Sequence, residues 1–150
     1  MMQYFAYSQK AFVYKYVVML SDTDQFEHMS FANYLKLMFL ASDALFVSCF
    51  DAIFLAENRI RLENSKMQFK KQTIAGENIL IKVNSSDMKE SSFSLLFTFV
   101  IEGSGELVGL GRQTYGMADR HDNQVKALSD SVKSLLGPIR VEEENLLYKY

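Results

Sequence analysis

The chain predicts an α+β fold in which a curved five-stranded antiparallel sheet wraps one long apolar helix. Three observations predict it. The run from Phe31 to Phe50 carries only Lys36 and Asp43 as charges and holds no glycine or proline. Five segments rich in β-branched and aromatic residues surround it, one before and four after. The connections between the last four are short and polar, as antiparallel hairpins require.

Taken in order, Ala11 to Leu20 (AFVYKYVVML) reads as the first strand and stops at SDTD. The Phe31–Phe50 helix makes about five turns at 3.6 residues per turn, and its composition predicts burial on nearly every side. Ser30 is the expected N-cap, its hydroxyl accepting from an N–H of the first turn, whereas Asn33 makes only a weak capping-box match. Ile60 to Lys71, Asn78 to Ser85, Ser92 to Glu102 and Glu106 to Ala118 follow as a four-stranded meander joined by AGE, SDMKE and EGSGE. Leu128, Val132, Leu135 and Leu136 then space out a short amphipathic helix from Ala127 to Leu136, ended by Gly137-Pro138. One sheet over one helix leaves edges and a far face bare, so a homodimer or a dimer-of-dimers tetramer is expected.

A chain of 150 residues, 49% hydrophobic and 23% charged, fits one core and hence a single domain over 1–150. A net charge of −2 with scattered Lys and Arg provides no basic stripe, which argues against nucleic acid. MMQYFAYSQK lacks a basic region followed by a long apolar one, and no run of about 18 uncharged apolar residues exists, so neither export nor a membrane is expected. The single Cys49 lies in an apolar run, reads as a buried small hydrophobe and fits a reducing cytoplasm. Eight methionines and 13% aromatic residues without tryptophan suit a deformable interior that either fills a core or lines an acyl pocket.

Several chemistries find no support. His28 and His121 are far apart and lack a second ligand nearby, so no metal is expected. No G-x-S-x-G elbow is present, and glycines 103, 105, 109 and 111 break the dinucleotide-binding spacing. Lys70 and Lys71 close a strand, where solvation is the plain reading and a carrier phosphate the functional one.

The segment DTDQFEHMSFANYLKLMFLASDALF resembles the signature of the 4-hydroxybenzoyl-CoA thioesterase-like branch of hot-dog proteins, D-x-D-x-x-G-H-V-N-x-x-x-Y, with Asp22, Asp24, His28 and Tyr34 falling on it without a gap. Phe31-Ala32-Asn33-Tyr34 is similar to the FANY of enediyne polyketide thioesterases. GENILIKV and GLGRQTYGMAD resemble later strands of the family, so the likeness spans roughly Val13 to Leu136. Two departures stand out. Glu27 replaces the usual glycine, so the turn either holds a side chain at that backbone angle or takes another shape. Ser42 replaces the arginine of the enediyne enzymes.

The resemblance implies a hot-dog fold and an acyl-thioester hydrolase acting on acyl-CoA or acyl-ACP, without a dissociable cofactor. It makes Asp24 the general base or nucleophile and the Phe31 backbone N–H the oxyanion donor, a role that the positive end of a helix suits. A carboxylate in an apolar pocket would gain basicity from desolvation. His28 is expected to orient the carbonyl, donate to the oxyanion or pair with Asp24, or else to be satisfied by backbone. Asn33 and Tyr34 either line the pocket or belong to the core. Asp43, an acid within an apolar helix, is expected either to stay protonated or to find a partner such as Ser92, Thr114 or a second subunit. Glu27 adds a carboxylate near the centre. A polyketide-releasing thioesterase, a non-catalytic acyl-thioester-binding module and a dehydratase built on His28 and Asp43 remain as alternatives.

Overall fold

Inward and outward residues alternate along the strands, and the inward rows close on a single helix. A computed structural model describes residues 4–8 and 11–141. Its strands are β1 (Tyr4–Ser8), β2 (Ala11–Val17), β3 (Asn58–Phe69), β4 (Asn78–Ser86), β5 (Ser92–Ile101) and β6 (Leu107–Asp119), and its helices α1 (Phe31–Cys49), α2 (Ala52–Glu57) and α3 (Asp130–Leu136). All six strands pair antiparallel in one sheet, ordered β1-β2-β4-β5-β6-β3. The five expected strands are therefore all present, and β1 adds a sixth by folding back on β2.

The inner rows bring Phe12, Tyr14 and Tyr16 of β2, Ile79, Ile81 and Val83 of β4, and Phe93, Leu95, Phe97 and Phe99 of β5 against Tyr34, Leu37, Met38, Ala41 and Leu45 of α1. Removing apolar surface of this extent from water is the main force holding helix to sheet, at about 25 cal/mol per Å². Gly111 of β6 lets α1 come close, since a Cβ there would meet the Met38 thioether at 2.7–2.8 Å.

Three expectations need correction. The meander does not hold, because β3 pairs with β6 at the far edge and not with β4. The 70–77 segment is a crossover, tied to the start of α1 by the Met29 N–H donating to the Thr73 carbonyl at 2.9 Å. Nor is α1 enclosed on nearly every side: Phe31, Phe39, Asp43 and Val47 lie exposed along one face. Cys49 is exposed on that helix's last turn, not buried.

The ends of the elements follow local chemistry. Asp51 caps α2 by accepting from the Phe54 N–H at 2.7 Å, and α2 docks by stacking Phe54 on Phe50 with centroids 4.2 Å apart. Ser129 caps α3, which begins at Asp130, three residues later than Ala127. β3 loses register between Leu62 and Asn64, where Glu63 is the extra residue of a bulge.

Candidate functional site

The 22–30 turn is held by backbone first. The Asp24 N–H donates to the His28 carbonyl at 2.8 Å, and the Glu27 N–H donates back to the Asp24 carbonyl at 2.9 Å. This tight reversal forces Glu27 to φ 64°, the left-handed region where glycine is comfortable and other residues are not. Of the two readings of Glu27, the turn thus keeps its shape and tolerates the side chain.

Asp22 anchors the turn to the sheet. Its carboxylate accepts from the Tyr16 hydroxyl at 2.7 Å and the Met19 N–H at 2.8 Å, and burial followed by this carboxylate pushes the Tyr16 phenol well up. Its carbonyl accepts from the Ser30 N–H at 3.2 Å and from Asn33 Nδ2 at 2.7 Å. Asn33 therefore fastens the turn. Tyr34 does the same on the other side: it is fully buried, its hydroxyl pairs with Thr73 Oγ1 at 2.6 Å and accepts from the Thr73 N–H at 3.0 Å. Sequence reasoning did not single out Thr73, since a threonine in a polar connection carries no signal of its own.

Asp24 is exposed, not sunk in an apolar pocket, so the expected desolvation is absent from the single chain. One carboxylate oxygen, Oδ1, accepts from the Phe26 N–H at 2.8 Å and more weakly from the His28 N–H at 3.4 Å. The other makes no hydrogen bond among the described residues. His28 meets Asp24 only through its backbone, and its half-buried ring has no hydrogen-bond partner among the described residues. The side chain of Ser30 occupies the N-cap position without making a cap bond. The first N–H of α1, at Phe31, also has no acceptor among the described residues and lies at the positive end of the helix dipole.

Asp43 sits within one turn of the middle of α1, on its exposed face, and desolvation holds its carboxyl above the usual range. Among the described residues neither expected neighbour is hydrogen-bonded to it, and Thr114 pairs instead with Ser94 at 3.1 Å. The nearby phenol belongs instead to Tyr115, which burial pushes up and which feels the Asp43 charge. Lys71 pairs with Glu106 at 2.6 Å, consistent with a solvated strand end. Among the described residues no helix is long and apolar enough to cross a membrane.

Residues 18–136 match the family model of the thioesterase-like superfamily. The chain belongs to that superfamily. Solved structures of similar shape carry the same architecture as this thioesterase-like chain. A 1,4-dihydroxy-2-naphthoyl-CoA thioesterase from Synechocystis is 15% identical, with a TM-score of 0.75 over 85% of this chain and 96% of that one. The dynemicin thioesterase is 16% identical, with a TM-score of 0.80 over 88% and 99%. A gentisyl-coenzyme A thioesterase is 23% identical, with a TM-score of 0.71 over 83% and 98%. No curated protein matches the sequence significantly. The hot-dog fold of this thioesterase-like protein is thereby established.

Proposed function

We propose that the protein hydrolyses acyl thioesters carried by coenzyme A or acyl carrier protein. Membership of the thioesterase-like superfamily sets the reaction class. The observation that carries the reading is an open helix N-terminus close to an anchored carboxylate: among the described residues the Phe31 N–H has no acceptor, and Asp24 is fixed through Oδ1 while its second oxygen makes no hydrogen bond. The Phe31 N–H receives the oxygen of the thioester carbonyl and stabilises the charge that develops on it. Asp24 either deprotonates the attacking water or attacks the carbonyl itself, and the thiolate of the carrier leaves. His28, with a free ring at the same turn, orients the carbonyl. Asn33 and Tyr34 act through the turn they fasten, and Glu27 places a second carboxylate at its tip.

Asp24 needs a less watery setting than a single chain provides, and a second subunit laid over the open face of α1 supplies one. The reading therefore includes a homodimer. Similar structures act in two settings, as CoA thioesterases and as the polyene-binding dynemicin thioesterase, and FANY keeps release of a carrier-bound polyketide as the second reading.

A panel of acyl-CoA and acyl-ACP substrates, followed by release of free thiol, tests the proposal. Turnover of at least one class is expected, with Asp24→Ala lowering it by about 10²–10⁴ while the far-UV spectrum is kept. Unchanged kinetics in Asp24→Ala would remove Asp24 from the mechanism. Tight binding without turnover would make the protein a sensor.

A further inference from the structure

A groove of about 510 Å³, open along one side, is walled by residues 17–21 and by Ala75 and Gly76. None of these residues is charged, and Ser21 alone brings a side-chain hydroxyl. The backbone of the walls is already paired. The Val18 N–H donates to the Glu77 carbonyl at 2.9 Å, and the Gly76 N–H donates to the Val18 carbonyl at 2.8 Å. The Met19 N–H goes to Asp22 Oδ2 at 2.8 Å, and the Leu20 carbonyl takes the Thr23 hydroxyl at 2.6 Å. A Cβ built on Gly76 would meet nothing within 4 Å, so space is open at that point. Such a groove offers a ligand little beyond apolar contact.

Both walls are tied to the turn that carries Asp24. Ile74, next to Ala75, forms an antiparallel bridge with His28. Asp22, whose carboxylate holds Met19, also accepts the Ser30 N–H at 3.2 Å through its carbonyl, one residue before Phe31. Exposed apolar side chains continue along this side of the molecule: Met19 and Leu20 on the groove, Ile74 beside His28, Phe26 in the turn and Phe31 at the helix start. The interior gives no comparable room. Tyr34, Leu37, Met38, Ala41 and Leu45 are shielded, and the Met38 thioether stands 2.7 Å from where a Cβ on Gly111 would lie.

We propose that this groove receives the acyl chain of the substrate, outside the core instead of between α1 and the sheet, and that the substrate class is a saturated acyl thioester of medium length. The inference rests on the hydrolase reading for the presence of an acyl group. Hydroxyl or keto groups along the chain would give up water here without gaining a partner, which sets the groove against an oxygenated polyketide. Its volume falls in the lower half of the range for small-molecule sites, about 300–1,000 Å³, and suits a chain of medium length. Met19, unbranched and rotatable, adapts its wall to the chain.

Octanoyl-CoA and acetyl-CoA test this as a pair, with calorimetry giving Kd and thiol release giving kcat/KM. Each methylene is worth about fourfold in affinity when fully buried and about twofold when half buried, so the wild type is expected to bind octanoyl-CoA at least about tenfold more tightly. In Ala75→Phe, which fills the groove, and in Leu20→Asp, which charges its wall, the ratio falls towards one while the Kd of acetyl-CoA holds. Leu20 is 76% exposed, so its variant keeps the test open if Ala75→Phe fails to fold. Equal binding of the pair by the wild type, or binding of neither, overturns the groove, and turnover of any thioester then leaves the hydrolase reading standing. A preference that survives both variants also overturns it, and a shift in sedimentation alongside would make the groove a contact between subunits. Preferential binding of octanoyl-CoA that both variants abolish, without hydrolysis of either thioester, supports the groove and fails the hydrolase reading.

Discussion

Glu27 stores strain that a glycine would release. A non-glycine residue at φ 64° costs about 1–2 kcal/mol, whereas glycine costs about 0.5–1 kcal/mol in chain entropy, so Glu27→Gly is expected to stabilise by up to about 1 kcal/mol. A lower melting temperature would show that its side chain contributes something the turn needs. The opposite sign is expected at Tyr34, where Tyr34→Phe strands both the Thr73 hydroxyl and the Thr73 N–H in the core. Urea unfolding should report a loss of about 1–3 kcal/mol. Asp43 gives a pH signature. Desolvation raises its folded pKa above the unfolded value, so between the two the folded chain binds more protons and stability falls as pH rises through that window. Above the window the full cost persists, and Asp43→Asn removes it. Thermal melts should show the variant gaining at neutral pH and the gain vanishing below the ordinary carboxylate range. The sequence marked Asp24 and Glu27 through the resemblance of the 22–34 segment to the thioesterase signature, and Asp43 because an acid within an apolar helix is conspicuous. It did not mark Thr73, because its importance lies in the way its side chain and N–H meet Tyr34 across distant segments.

Alternation and composition made the strands and the long helix legible to within about two residues at most ends, but the pairing of β3 was not. Short polar connections signal a reversal of direction, yet 70–77 reverses by crossing the end of α1, and only the Thr73 and Tyr34 bonds reveal that. The open face of α1 was equally hidden, since an apolar run without gaps has no phase by which to tell inside from outside. At the level of elements, the seat of α1 on β6 can be probed at two glycines. At Gly111 a Cβ would meet Met38 at 2.7 Å and the Phe97 Cβ at 3.3 Å. Gly111→Ala should therefore push helix and sheet apart and cost about 1–3 kcal/mol. At Gly116 the obstructing atom is Glu63 Oε1, the far end of an exposed side chain free to swing away. Gly116→Ala should be close to neutral, and denaturant midpoints that rank the two the other way would mean that α1 does not bear on β6 through Met38.

The molecule as a whole leaves one side unfinished. β3 is a strand of 12 residues at the end of the sheet, with its outer edge unpaired among the described residues, and Leu62 and Phe69 on it are exposed. Phe39 and Val47 lie exposed on α1. Long edge strands with exposed apolar residues associate unless something blocks them, and a second copy related by a two-fold axis would extend the sheet through β3 and close the open face of α1 together. Such a contact must bury about 1,200–2,000 Å² in total to be stable, and an edge strand with an adjoining helix face is of that scale. Sedimentation equilibrium at micromolar concentration should accordingly give a dimer, and Phe39→Asp combined with Val47→Asp should give a monomer that keeps its helical and sheet spectrum. The two properties are linked through Asp24, which is exposed in one chain and needs covering to gain basicity. Dissociation should thus lower thiol release even though Phe39 and Val47 touch none of the reacting groups. A monomeric wild type with full activity would break that link, because the single chain would then be activating Asp24 without a partner to exclude water.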